Sequence, residues 1–435
     1  MHILIAGGGY VGMYTALRLE RRLRRDEARF TLVTPESFMT YHPFLPEAAA
    51  GSIEPRHVVV PLRKVLRRTR VVVGHLGELD HDRRAATVRP LEGPAFEFGY
   101  DHAVVALGSL SRVLPVPGLA EVGLGFKSVP EAIYLRNQVL SRMDAADSTD
   151  DPEVRRRALS FLFVGGGYAG VEALGELEGL ARQACRYFQT IRSGDMRWVL
   201  VEASPRILPE IGEDLQAYAQ SILRRRGIEI RLDTRLVSAE GGVMVLSGGE
   251  SFAADTLVWT AGVRAHPLVA SFGWPLDERG RVVVDEYLRV QGVDGAWAAG
   301  DCAAVPDPDA PGTSPPTAQH ALRQAQRLGD NLVATLRGGE LRAFRYHNLG
   351  ALVSFGSHEG VARVLGLRIR GLPAWALHRI YHVSRIPTLN RKVRVNMDWF
   401  VSFLFKRDIA QLGSLQHPRK AFVEALGGEE PGVRP

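Results

Sequence analysis

The tetrad Gly-Gly-Gly-Tyr occurs twice in this chain, at Gly7–Tyr10 and Gly165–Tyr168. Each copy follows an apolar run, HILIA in one case and LSFLFV in the other, and opens an apolar-periodic segment, VGMYTALRL or AGVEALGEL. Both therefore read as strand, tight turn and helix start, and both meet the spacing G-x-G-x-x-G, at Gly7/Gly9/Gly12 and at Gly165/Gly167/Gly170. The first two glycines of such a turn permit the bend and a close backbone approach to a pyrophosphate; the third lets helix and strand touch. The helix N-terminus adds free N–H groups and the positive end of its dipole. One such turn is a weak signal. Two of them, each between a strand and a helix, predict two dinucleotide sites on one α/β chain.

The remaining pattern fits two such units, the second interrupting the first. The first unit reads as strand Ile3–Ala6, helix Tyr10–Arg24 and strand Phe30–Thr34, with a later strand ending at Ala106-Leu107-Gly108. A polar stretch, Asp144–Glu153, marks a surface loop or linker. The second unit reads as strand Leu159–Val164, helix Ala169–Gln189, strand Trp198–Glu202 and strand Thr256–Gly262. Small residues around Asp301 look like a strand end against a ligand and return the chain to the first unit. After the proline-rich loop Pro306–Pro316 comes a helix, TAQHALRQAQRLGDNLVATL. We expect residues 1–120 and 278–345 to form one discontinuous domain, 121–277 the inserted one, and 346–435 a separate C-terminal module.

With 435 residues, 46% hydrophobic and 23% charged, the chain has ample core, and wholesale disorder is excluded. Its two cysteines, Cys185 and Cys302, are far apart, which argues against a disulfide framework, a zinc site or an iron–sulfur cluster. The chain opens directly on a strand, so no leader peptide is expected. No apolar run reaches the roughly 20 residues that span a bilayer. The net charge of +6 is unevenly spread: between Arg363 and Lys420, Lys and Arg face only Asp398 and Asp408. No nucleic-acid module accompanies this basic stretch, so nucleic acid is not expected as a partner.

Taken in order, GGGYVG, MTYHPFLPEAAAG, VVALGS, GGGYAGVEALGEL, VLVEASPRILP, VWTAGV, AAGDCA and PPTAQHALRQAQRLGDN resemble the two-dinucleotide flavoprotein superfamily. Within it the chain is most similar to type II NADH dehydrogenase, the single-subunit NADH:quinone oxidoreductase, over nearly its whole length. The resemblance implies two Rossmann-like domains, the NAD domain inserted in the FAD domain, and a C-terminal α+β module that docks on the membrane. FAD would lie on Gly7, Gly9 and Gly12, with Asp301 at the ribitol or phosphate region, unless it only caps a helix. Tyr41 and Pro46 would line the flavin, and Ala106, Gly108 and Gln319 would complete its site. NADH would lie on Gly165, Gly167, Gly170 and Gly262. There Glu202 would take both ribose hydroxyls and repel a 2′-phosphate, a preference that nearby Arg206 tempers. Glu172, Gln319 and Arg323 are the candidates for catalysis. Glu172 would sit near nicotinamide and flavin, influencing charge transfer or proton supply; a carboxylate merely stabilised by a helix N-terminus is its other reading.

The chain departs from this family in three places. Thr34 replaces the acidic residue that binds the adenosine ribose of FAD, although Glu36 is close. Leu107 stands where threonine is frequent. In the motif A-Q-x-A-x-Q-Q, whose glutamines reach the quinone, Gln319 and Gln324 match but Arg323 takes the first place of the terminal pair. These departures motivate a rival reading, a related flavoprotein reductase serving a non-quinone acceptor. No redox pair C-x-x-x-x-C follows the first glycine turn, so electrons cannot leave through a dithiol. Near the C-terminus, Trp399, Phe400, Phe403, Leu404 and Phe405 suit an interfacial helix. Trp375 and Tyr381 suit the headgroup level, and Arg379, Arg385, Arg391, Lys392 and Arg394 suit anionic lipid. The expectation is a peripheral enzyme on the cytoplasmic face of the cell membrane, reducing menaquinone or ubiquinone without pumping protons. A homodimer through the C-terminal module is implied by analogy.

Overall fold

The structure is a computed structural model and describes residues 1–412 apart from 308–310, 347–349 and 357. Strand β1 (His2–Ala6) is buried on both faces beyond His2, as its unbroken apolar run requires. It is followed by helix α1 (Tyr10–Arg22), two residues shorter than the periodicity suggests, and by strand β2 (Arg29–Thr34). These lie at the centre of a seven-stranded sheet. Its order is Ala296–Ala298, His102–Val105, β1, β2, Thr69–Asp80, Ala85–Pro90 and Phe96–Gly99, the first five parallel and the last two antiparallel. The strand Ala296–Ala298 thus comes from far along the chain to complete the sheet, just before Asp301. Between β2 and Thr69 lies a short helix, α2 (Leu45–Ala49).

The second sheet has five parallel strands: Gly123–Leu124, Thr256–Trp259, β3 (Ser160–Val164), β4 (Arg197–Val201) and Ile228–Arg231. Helix α3 (Val129–Asp147) lies between its strands Gly123–Leu124 and β3 in the chain, begun by a reciprocal capping box between Ser128 and Glu131. Here the structure corrects the expected linker Asp144–Glu153. Asp144 to Asp147 finish α3, and Asp151 caps the helix Pro152–Ala158 by accepting from the N–H groups of Glu153 and Val154. Acidic residues gathered there because they end and begin helices, not because the chain is unstructured. Helix α4 (Tyr168–Ala184) also stops before the expected Gln189.

Helix α5 (Ala318–Leu336) begins with Thr317, whose hydroxyl accepts from the His320 N–H, and packs along α1. Salt bridges from Arg18 and Arg22 to Asp330 and from Arg337 to Glu27 fasten the two helices. The C-terminal module is an antiparallel sheet, Gly350–Ser354, Gly360–Val364 and Leu367–Arg370, followed by helices α6 (Gly371–Arg385) and α7 (Leu389–Leu404). One hydrophobic cluster surrounds the first sheet and includes Ile386 and Val395 of the module. Another, on one face of the second sheet, takes in Val353, Phe355 and Val361, together with Leu45, Ala49 and Ala50 of the first unit. The module is therefore part of both cores.

Candidate active site

The two glycine turns are built alike. At the first, Gly7 has φ +109°, and a Cβ there would lie 2.2 Å from the carbonyl oxygen of Ala106; a Cβ on Gly12 would lie 1.8 Å from the Gly7 oxygen. At the second, Gly165 has φ +119°, with its Cβ position 2.7 Å from Thr260, and a Cβ on Gly170 would lie 2.0 Å from the Gly165 oxygen. These four glycines are required by the fold itself. Gly9 and Gly167 differ: a Cβ on either would meet nothing within 4 Å. They are the N-cap residues of α1 and α4, and no side chain caps either helix. Open space in front of uncapped N–H groups fits the pyrophosphate of a dinucleotide at both turns.

The ends of the two second strands distinguish the sites. Glu202 follows β4, and its carboxylate accepts from the N–H of Gly166 at 2.6 Å and of Ser204 at 2.8 Å. It is thereby held at the mouth of the second turn. Thr34 ends β2 in the equivalent place and is buried, its Oγ1 2.6 Å from where a Gly8 Cβ would be. Arg206 lies beyond Glu202 beside an open recess of about 510 Å³ shared with Glu213, Gln216 and Arg224.

The strands beside the two turns run on and meet each other. Strand His102–Val105 continues past Gly108 (φ +70°) into Ser109–Ser111; strand Thr256–Trp259 continues past Gly262 (φ +92°) into Val263–Ala265. These continuations pair as an antiparallel ribbon that joins the C-terminal edges of both sheets. Such an edge is where open α/β sheets bind ligands.

Beside the ribbon runs a polar line the sequence did not reveal. Lys127 Nζ donates to Ser109 Oγ at 2.5 Å, and the Ser109 hydroxyl donates to Asp301 Oδ2 at 2.6 Å. Burial pulls the Lys127 ammonium below its usual pKa, while the Asp301 carboxylate opposes the shift. Ser109 reaches Asp301 because strand His102–Val105 pairs with Ala296–Ala298, and Lys127 arrives from the segment after Gly123–Leu124, so the three meet only in the folded chain. Asp301 itself sits in a single 3₁₀ turn, Gly300–Cys302, and caps no helix, because Thr317 takes that task for α5. Cys302 is fully buried, its thiol pushed up to about 11, so it packs and does not react.

Tyr41 is buried among Tyr10, Phe44 and His382, and its hydroxyl donates to the His382 carbonyl at 2.9 Å. Pro46 is buried within α2. On α5, Gln319 accepts the Tyr346 hydroxyl at 2.6 Å, and Arg323 lies over the same tyrosine ring at 4.0 Å while donating to the Gln319 carbonyl. Gln319 and Arg323 thus share one partner. Gln324 instead accepts from the Gly300 N–H and steadies the turn carrying Asp301. Glu172 is buried one turn into α4, past the first turn where the sequence suggested it, so it does not meet the free N–H groups of the helix start; its Oε1 accepts from Ser354 N–H and lies 3.3 Å from His378 Nε2.

The C-terminal helices divide the expected surface residues into two groups. Arg379 and Trp399 turn inward and both donate to Glu47, at 2.8 and 2.6 Å, because a carboxylate 2% exposed needs partners. Phe400, Phe403, Leu404 and Phe405 are exposed, as are Leu389, Val393 and Met397. Among the described residues no helix is long and apolar enough to cross a membrane.

Comparison with known proteins agrees with this geometry. The family model described as pyridine nucleotide-disulphide oxidoreductase matches residues 1–325. The chain is 31% identical over 390 residues to a type II NADH:quinone oxidoreductase of Staphylococcus epidermidis, covering 88% of this chain and 94% of that protein. It is 30% identical over 384 residues to the protein of the same name from Staphylococcus aureus, covering 87% and 93%. Among solved structures, NDH2 from Plasmodium falciparum in complex with NADH has a TM-score of 0.86 at 15% identity, covering 94% of this chain and 99% of that one. The sulfide:quinone oxidoreductase of Aquifex aeolicus has a TM-score of 0.71 at 16% identity, covering 94% and 96%.

Proposed function

As a member of the pyridine nucleotide-disulphide oxidoreductase family, and within it of the type II NADH:quinone oxidoreductases, this chain, we propose, oxidises NADH on a bound FAD and reduces a membrane quinone. The observation that carries this reading is the pair of equivalent glycine cradles whose sheet edges are joined by the ribbon Ser109–Ser111 with Val263–Ala265. FAD, when bound, supplies the two-electron chemistry between the hydride donor and the quinone. The residues of the chain do the rest. Gly7, Gly9 and Gly12 with the α1 N-terminus hold the FAD pyrophosphate, while Asp301, fixed by Ser109 and Lys127, faces the ribitol. Gly165, Gly167 and Gly170 hold the NADH pyrophosphate, and Glu202 takes the ribose hydroxyls. Gln319 and Arg323, tied through Tyr346, border the quinone, and Glu172 stands near the reacting rings.

The division into residues 1–120 with 278–345, 121–277 and 346–435 is part of the same proposal, supported by the return of Ala296–Ala298 to the first sheet. So is docking on an anionic membrane surface at the cytoplasmic face, supported by the exposed phenylalanines of α7 among basic residues. A homodimer through the C-terminal module rests on family analogy.

The test is anaerobic. Purified protein loaded with FAD should bleach on addition of NADH and recover its colour with a menaquinone or ubiquinone analogue. Colour that persists with NADH present would end this reading at its first step.

A further inference from the structure

The polar line of Lys127, Ser109 and Asp301 joins three separate parts of the chain. Asp301 follows strand Ala296–Ala298 of the first sheet, Ser109 opens the ribbon, and Lys127 lies between strand Gly123–Leu124 of the second sheet and helix α3. Glu131 accepts from the backbone N–H groups of Lys127 and Ser128, at 2.7 Å each, so the start of α3 fixes where the lysine stem sets out. The inserted unit thereby delivers a half-buried cation to a carboxylate of the first unit. The direction of the hydrogen bonds is forced. An ammonium only donates and an ionised carboxylate only accepts, so the single Ser109 proton lies toward Asp301. Among the described residues, Ser109 is the one hydrogen-bond partner of the Lys127 ammonium and of the Asp301 carboxylate alike. Two ammonium protons and the second carboxylate oxygen, Oδ1, are thus unspent on the protein. The pairs that fasten the C-terminal module, Arg379 with Glu47 and Arg407 with Glu176, meet directly at 2.8 Å. This pair is spaced by a hydroxyl and keeps bonding capacity at both ends.

We propose that Lys127 is a positioning residue of the FAD site, contributed by the inserted unit, whose charge offsets that of Asp301 and so favours both FAD binding and flavin reduction. This rests on the function proposed above in one respect, that FAD occupies the first cradle beside Asp301. The ammonium holds the Ser109 hydroxyl, the hydroxyl holds Oδ2 of Asp301, and Oδ1 is left to accept from a ribitol hydroxyl. Hydride transfer from NADH places one negative charge on the flavin, because a hydride carries two electrons with one proton and leaves NAD+ behind. A fixed cation close to where that charge develops stabilises it, the more so where water is scarce. Without the lysine charge, a cofactor already bearing two phosphates faces an uncompensated carboxylate, and both its binding and its reduction are disfavoured.

The test uses the full-length FAD-loaded protein and reads two quantities: the FAD released on dilution, and the reduction equilibrium of the bound flavin, titrated with dithionite against a dye of known potential. Lys127→Met removes both the charge and the hydrogen bond to Ser109. Lys127→Gln keeps a donor and removes only the charge, and it guards against a Met variant that fails to fold. Both should lower the equilibrium constant for two-electron reduction about tenfold, a potential ~30 mV more negative, and both should release more FAD than wild type. Lys127→Arg should recover most of each loss. An unchanged reduction equilibrium in both neutral variants would overturn the proposal, whatever happens to flavin content or thermal midpoint, because a merely structural lysine leaves the potential alone. An Arg variant as low as Met would overturn it too, since charge would then not be what counts. The dithionite titration needs neither NADH nor quinone. Wild-type flavin that dithionite reduces and NADH does not would therefore end the proposed function, while the lysine variants still decide this proposal.

Discussion

At the scale of single residues, the turn glycines separate what the fold needs from what a ligand needs. A methyl at Gly12 would collide with the Gly7 carbonyl, so Gly12→Ala should unfold the turn and lower the thermal midpoint of the whole protein. A methyl at Gly9 or Gly167 would meet only open space. Gly9→Ala should fold normally but purify with little FAD, and Gly167→Ala should keep its FAD while KM for NADH rises about tenfold, or ~1.4 kcal/mol. Melting curves, flavin absorbance and steady-state kinetics check these outcomes. Normal FAD content in Gly9→Ala would show that the pyrophosphate lies elsewhere. Glu202 offers a second contrast. Removing its carboxylate takes away the charge that repels a 2′-phosphate and frees the N–H groups of Gly166 and Ser204, beside Arg206. In Glu202→Ala the ratio of kcat/KM for NADPH to that for NADH should rise by about tenfold or more. The two glycine turns and the place of Glu202 beside the second were legible in the sequence because both follow from local spacing. Lys127, Ser109 and His378 were not, because each meets its partner only across the tertiary fold.

At the scale of elements, hydrophobic patterning located both β-α-β units, since buried parallel strands and amphipathic helices repeat with different periods. It misread the ends. The stretch Asp144–Glu153 suggested a linker, yet the same side chains terminate α3 and cap the next helix. Composition cannot tell an acidic loop from an acidic cap. Helix α7 shows a related limit. Its aromatic run was visible, but which aromatics face outward depends on the buried carboxylate of Glu47, which draws Trp399 inside. The exposed set Phe400, Phe403 and Phe405 belongs to the lipid in our reading. Replacing Phe400 and Phe403 together by Glu should abolish co-sedimentation with anionic vesicles while leaving bleaching by NADH intact. Substitution of Trp399 should instead lower stability. If the Phe400 and Phe403 variant still sediments with vesicles, another surface makes the contact.

At the scale of the whole molecule, the C-terminal module does more than sit beside two nucleotide units. It inserts charge into each: Arg379 meets Glu47 of the first unit, and Arg407 meets Glu176 of the second, both carboxylates being buried. A Cβ on Gly175 of α4 would lie 2.5 Å from the Phe355 carbonyl, so the fit there is close as well as charged. Burial raises the pKa of Glu47, and Arg379 is the first of the groups opposing that rise. Such a pair gains little over an apolar replacement, because desolvation offsets most of the attraction. Losing one partner is different, since a lone buried carboxylate remains. Arg379→Met should therefore destabilise the protein by about 3 kcal/mol. Its loss should shrink as pH falls, because the stranded Glu47 can then take up a proton and become neutral. Adding Glu47→Gln to Arg379→Met should recover most of the loss at neutral pH and remove its pH dependence. Urea titrations of the flavin-loaded protein at neutral and mildly acid pH decide between these outcomes. A double variant as unstable as the single one would mean that Arg379 holds the module through its stacking on Trp375 and Trp399, not through its charge.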